Sequence, residues 1–145
     1  EVRNLAHETM RETRELARGY RPVDLGKELD GARSLLRSAG IDVDLDVGAV
    51  PTDWQEPAAW VVREAVTNVL RHSTATRVSI RFAPPELIVT NDRASAGGGR
   101  SGNGVIGLRE RLAPLGASLT THQVGDSFAL TAQFPQSSSA GVDHE

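Results

Sequence analysis

The spacing of hydrophobic positions changes several times along the chain, and each change marks an element. Over residues 1–18, Val2, Leu5, Thr9 and Leu16 form a narrow stripe near a 3.5-residue spacing in charged, helix-forming text. Such a helix packs on a partner and cannot form a core alone. Arg21-Pro22 interrupts it, because the residue before proline avoids helical geometry. Asp24 then offers an N-cap, and Leu25, Leu29, Ala32, Leu35 and Leu36 make a wide apolar face up to Gly40, a suitable C-terminal cap. Ile41, Val43, Leu45 and Val47 alternate with Asp42, Asp44 and Asp46, which predicts a strand with one wet face. After Pro51, the box Thr52 to Gln55 is placed to cap a long helix running through residues 60–73.

Val78, Ile80 and Phe82 alternate with Ser79 and Arg81, Pro84-Pro85 makes a turn, and Leu87, Val89 and Asn91 continue on the next strand, which predicts an antiparallel hairpin. Arg93 to Asn103 lacks apolar periodicity and reads as a mobile loop. A helix follows from about Gly104 to Leu115, bounded by Gly116, and then strands over 119–124 and 128–134 turn at Gly125-Asp126. Residues 137–145 read as a disordered tail. The order favours an α/β two-layer sandwich: a mixed, largely antiparallel sheet with helices on one face.

The helix over Trp60 to Ser73 has two unlike sides. Val62, Val66 and Val69 share the face that meets a core, while Glu64, Asn68 and His72 recur every fourth position, with Thr67 and Arg71 beside them. Asparagine is a poor interior helix residue, and a merely solvated face is better served by Lys or Glu. Either this is an ordinary surface helix, or something on that side needs an amide oxygen.

Composition narrows the partners. At 145 residues and 39% hydrophobic content the chain supports one core, and a net charge of -3 without a basic stripe argues against a nucleic-acid binder. With no cysteine there is neither disulfide nor thiolate metal site. No apolar run is long enough to cross a bilayer, no signal peptide opens the chain, and its charged helical start looks like a cut from a longer protein. The three alternating aspartates lack the central glycine and distal glutamate of a calcium loop, so they read as the wet face of a strand.

Residues 102–107, GNGVIG, fit G-x-G-x-x-G, with Asp126 downstream where a dinucleotide site has its ribose acid. That fingerprint begins at the end of its strand, however, and here residues 93–101 intervene, with too little chain left for a doubly wound sheet. The physics of the loop survives. Glycines let backbone approach a phosphate, and a helix starting near Gly104 directs free N–H groups and about half a positive charge at it. Arg100 and Arg109 could add charge. If the polar stripe faces this loop, phosphate donors oppose Glu64 and Asn68, and an amide oxygen with phosphate oxygens suits magnesium. The pocket reads as Mg-ATP.

REAVTNVLRHS at 63–73 and GNGVIGLRERL at 102–112 resemble the N box and second glycine box of two-component sensor histidine kinases of the NarL/DesK-like class, within the Bergerat-fold superfamily. GYRPVDLGKEL at 19–29 is similar to that class's junction between dimerisation helix and catalytic domain. The resemblance implies the end of a dimerisation helix and junction over 1–22, an ATP-binding catalytic domain over 23–136, and a tail over 137–145. It implies that Asn68 coordinates magnesium, that Glu64 holds the metal's water shell or assists the reaction, and that Arg71 and His72 approach the phosphates. Gly102, Gly104 and Gly107 would form the phosphate-facing loop, with Val105 and Leu108 beside them and residues 93–103 as a lid. Where the family has Asp-x-Gly to accept from the adenine amino group, this chain has Asn91-Asp92-Arg93; Asn91 is the expected acceptor and Asp92 the fallback. Asp126-Ser127 stands where many relatives carry Gly-Thr, so Ser127 is a candidate adenine-side hydroxyl.

His7 lies in the helix that runs directly into the catalytic domain, so the phosphoacceptor histidine is expected upstream, outside this chain. The resemblance therefore implies ATP and Mg2+ as cofactors and γ-phosphoryl transfer to that histidine, then to a response regulator. It further implies upstream dimerisation helices, a homodimer in the intact protein, no nucleic acid and no membrane contact by this fragment. A cytoplasmic location follows, and an upstream region could anchor the intact protein in a membrane. The alternatives are a degenerate nucleotide-binding sensor or scaffold and an anti-sigma-type serine kinase.

Overall fold

The computed structural model describes residues 24–94 and 103–135. The expectations for residues 1–22, for most of the loop including Arg100 and Gly102, and for the tail at 137–145 lie outside the described residues.

The first described helix, α1 (Leu25–Ser38), begins where Asp24 predicts it: the Asp24 carboxylate accepts from the backbone N–H of Gly26 at 2.9 Å. It ends at Gly40, whose φ of +82° lets Gly40 N–H reach Arg37 O at 2.9 Å and Ile41 N–H reach Leu36 O at 3.0 Å. Leu36 and Ile41, both buried, close the same turn. Leu35 departs from the predicted apolar face and is half exposed. After β1 (Asp42–Val47) the chain enters α2 (Thr52–His72), which starts directly after Pro51. The predicted Thr52 capping box does not form, because Pro51 occupies the cap position without a side-chain bond and Gln55 instead donates to Val50 O at 3.0 Å.

β2 (Arg77–Ala83) and β3 (Glu86–Asn91) form the expected antiparallel hairpin across a cis Pro84-Pro85 bond. The helix α3 (Asn103–Leu112) continues into a 3-10 turn (Ala113–Leu115), stopped by Gly116 at φ +80°. β4 (Ser118–Val124) and β5 (Ser127–Gln133) then close the sheet. Its order is β1-β2-β3-β5-β4; β1 runs parallel to β2 because α2 carries the chain back between them, and every other pair is antiparallel.

Alternation along the strands turns Val78, Ile80, Phe82, Leu87, Val89, Leu130 and Ala132 toward the helices. α2 meets them with Ala58, Val61, Val62, Ala65, Val66 and Val69, a broader buried surface than three valines predict. Trp54 closes one end, stacked on Phe134 at 5.2 Å and edge-on to Phe82 at 6.0 Å. The result is the two-layer sandwich expected from the sequence, with β3 in the middle of the sheet and Asn91 at its C-terminal end.

Candidate nucleotide site

Among the described residues, the core takes in two polar side chains, Asn68 and Asn91, 8% and 4% exposed. A buried polar residue is more informative than an exposed apolar one, since it lacks water and needs a partner. These two come from α2 and β3 and line one small cavity with His72, Ser73, Ala94 and Phe128, about 10 Å³ in volume, enough for about one water. The segment after β3 is laid along the end of α2: Ser73 pairs with Ala94, Thr74 N–H donates to Arg93 O at 3.2 Å, and Ala94 N–H donates to Asp126 O at 2.8 Å. Those bonds hold Asn91 opposite Asn68.

The Asn68 Nδ2 is buried with no hydrogen-bond partner among the described residues. A buried, unsatisfied donor costs about 1–3 kcal/mol, so the fold maintains a polar group that the described residues do not satisfy. The Asn91 Nδ2 donates to Asp92 O at 2.9 Å, which leaves its amide oxygen as the group to offer a ligand.

One turn before Asn68, the Glu64 carboxylate lies against the backbone of Gly104, so close that a Cβ built there would fall 2.8 Å from Glu64 Cδ. The polar stripe of α2 therefore faces the start of α3, as the sequence requires for one pocket. Burial pushes the Glu64 carboxyl above its ordinary range, and the charges of Arg71 and His72 on the same helix pull it back. Beside this contact opens a cleft of about 310 Å³ lined by Trp60, Arg63, Glu64, Gly104, Gly107, Leu108 and Arg111. Arg111 stacks over the Trp60 ring at 3.9 Å, and Arg63 reaches Glu28 of α1 at 2.8 Å.

Trp60, Arg63 and Arg111 were not among the sequence candidates. Their signal was present: Arg111 follows Gly104 and Gly107 at helical spacing, and Trp60 precedes Glu64 by one turn. Arg109, suggested as a phosphate-side charge, instead donates through Nε to Leu119 O at 3.0 Å, because α3 turns that face toward β4. Val105 and Leu108 are buried apolar side chains, so Val105 can offer a ligand little beyond its backbone, while Leu108 also lines the cleft.

The Asp92 carboxylate is turned away from the cavity. It accepts from Thr76 N at 2.8 Å, Arg77 N at 3.0 Å and Thr76 Oγ1 at 2.6 Å, the last of which holds its carboxyl below the ordinary range. Arg93, where the family motif has glycine, has a φ of +54°. Ser127 is exposed at the start of β5 and does not line the small cavity. Arg71 and His72 are exposed, and His72 alone of the two borders the cavity with Asn68. Gly102 lies outside the described residues.

A five-stranded mixed sheet with its helices on one face is the fold of histidine kinase catalytic domains. The histidine kinase domain of the blue-light activated histidine kinase from Erythrobacter litoralis EL346 superposes with a TM-score of 0.61 at 19% identity, over 79% of this chain and 62% of that one. Acinetobacter baumannii histidine kinase AdeS gives 0.57 at 16% identity, over 92% and 79%. In sequence, the chain is 30% identical over 129 residues to sensor histidine kinase YvfT of Bacillus subtilis (strain 168), covering 83% of this chain. The matched region is 35% of that protein, so the chain corresponds to about a third of its relative. No family model matches the chain. No helix among the described residues is long and apolar enough to cross a membrane.

Proposed function

We propose that this chain is the ATP-binding catalytic domain of a sensor histidine kinase of the NarL/DesK-like class, which in the intact protein transfers the γ-phosphoryl group of Mg-ATP to a histidine upstream of Glu1. The observation that carries the proposal is the pairing of the two buried amides, Asn68 and Asn91, in one cavity beside the Glu64–Gly104 contact. An amide whose donor is unmet among the described residues, one turn from a carboxylate that lies on a helix N-terminus, suits a ligand with phosphate at one end and a heterocycle at the other.

Asn68 and Glu64 fit magnesium in donor chemistry. Among the described residues no group of three His, Cys, Asp or Glu could hold an ion, and magnesium commonly takes most of its ligands from water and phosphate. When bound, it neutralises charge on the transferring phosphate. The chain's own part is positioning. The backbone at Gly104 and Gly107, with Arg71 and His72, orients the triphosphate; Glu64 accepts a hydrogen bond from the reacting imidazole or from the metal's water shell. The Asn91 oxygen accepts from the adenine amino group, and Ala94 and Phe128 must part for the base to enter. In the transfer, a bond forms from the imidazole nitrogen to the γ-phosphorus, the bond to the β–γ bridging oxygen breaks, and ADP leaves with the electron pair.

The acceptor helices, a homodimer built through them and a response regulator would complete the path. Its ATP requirement puts the domain on the cytoplasmic side, with any anchor upstream. Calorimetry of the chain with ATP and magnesium should show binding that chelation of the metal abolishes, and Asn68→Ala should remove the metal-dependent part. A folded chain that binds no ATP would refute the proposal in favour of a scaffold. Acid-labile phosphate on the upstream histidine helices, supplied in trans, should follow; acid-stable phosphate would favour a serine kinase.

A further inference from the structure

We infer that Asp92 is a positioning residue for nucleotide recognition, acting through Asn91; the inference rests on the Mg-ATP reading above. A carboxylate presents two equivalent acceptors, so its rotation is harmless. An amide presents one acceptor and one donor, and the end turned to the ligand decides what it can read. An oxygen end accepts from an adenine amino group. A nitrogen end donates to the carbonyl that guanine has in that place.

In this chain the choice is made by Asp92. Its backbone carbonyl can only accept, and it takes the Asn91 Nδ2 at 2.9 Å, so the amide oxygen is the end left over. The carbonyl is itself held. The Asp92 carboxylate takes both N–H groups of Thr76 and Arg77 and the Thr76 hydroxyl, at 2.6 to 3.0 Å, and Asp92 N–H donates to Arg77 O at 3.3 Å. On the far side, Arg93 O accepts from Thr74 N–H at 3.2 Å. The chain turns there through the left-handed conformation of Arg93, so the peptide joining Asp92 to Arg93 is anchored at both ends. Asp92 therefore never needs to touch the nucleotide: its carboxylate fixes the peptide whose oxygen orients the amide.

The test is a double-mutant cycle on the full chain, titrating Mg-ATP and Mg-GTP by calorimetry. Asp92→Ala should weaken ATP binding by about tenfold, the equivalent of one hydrogen bond, and bring the ATP-to-GTP affinity ratio toward one. In Asn91→Asp, whose carboxylate needs no orienting, adding Asp92→Ala should leave that ratio unchanged within about twofold. An equal effect of Asp92→Ala in both backgrounds would reduce Asp92 to a structural residue and overturn the inference. Thr76→Val, which removes one donor and keeps the turn, should shift the ratio in the same direction by less, and serves if Asp92→Ala fails to fold; no shift would count against the inference. Wild-type chain that binds neither nucleotide overturns both readings, whereas ATP binding without coupling in the cycle overturns this one alone.

Discussion

Replacing Gly104 by alanine isolates the close approach of α2 and α3. Gly104 has no left-handed φ, so alanine suits its backbone, and within a helix alanine is favoured over glycine by about 0.5–1 kcal/mol. The new Cβ would overlap Glu64 Oε2, with Cδ at 2.8 Å and Oε1 at 3.0 Å, against an ordinary contact of 3.4–4 Å, so the carboxylate must retreat by more than about 1 Å. It sits at the end of a flexible side chain and can do so without moving the helix. Stability should accordingly hold or rise by up to about 1 kcal/mol. Transfer is less tolerant, because displacing a positioned group by about 1 Å can cost about 100-fold, and the methyl also enters the space through which phosphate approaches the backbone. Phosphotransfer from ATP to the upstream histidine helices in trans should fall roughly 10- to 100-fold, with urea melts of the same preparation showing no loss of stability. A variant that transfers phosphate at the wild-type rate would refute the placement of Glu64 and Gly104 at the reacting end.

Asn68→Leu should stabilise the ligand-free chain by about 1 kcal/mol or more, since it removes a buried donor without a partner among the described residues, while magnesium-dependent ATP binding is lost; a urea midpoint that does not rise would mean the amide finds a partner in solution. Arg93→Gly relieves a left-handed residue, a gain of about 1–2 kcal/mol offset in part by about 0.5–1 kcal/mol of glycine entropy, so the net expectation is about 0.5–1 kcal/mol in denaturant melts. A destabilised variant would contradict it. Glu64 has a folded pKa raised chiefly by burial, so the folded state holds its proton more readily and stability falls as pH rises above the unfolded value of about 4.3. Glu64→Gln should therefore be more stable than wild type at neutral pH, with the advantage gone below about pH 4. Identical pH profiles for the two proteins would contradict the burial of that carboxylate.

Much of this architecture follows from local rules, which is why single-sequence reasoning reaches it. Asp24 and Gly40 bracket α1 because a cap depends on residues a turn away, and the alternation of Val78, Ile80 and Phe82 depends only on the two-residue period of a strand. The same locality put Glu64, Asn68 and His72 on one side of α2, and the alternation in β3 put Asn91 with Leu87 and Val89. Where two local contacts compete, sequence alone does not choose between them: Thr52 is a plausible cap, yet Pro51 takes that position and Gln55 turns back to Val50.

What the chain's text determined by itself is the order of elements, the caps of α1, and the set of polar residues each element presents. Tertiary structure alone decided that β3 lies between β2 and β5, so that Asn91 comes opposite Asn68, and that Glu64 meets Gly104. It also turned Arg109 to β4 and Arg111 onto Trp60, and gave Asp92 to Thr76 rather than to the cavity. The physical reason is range. Periodicity and capping act over one turn or one strand, whereas strand order and the rotation of one helix against another are set by how the whole apolar surface closes.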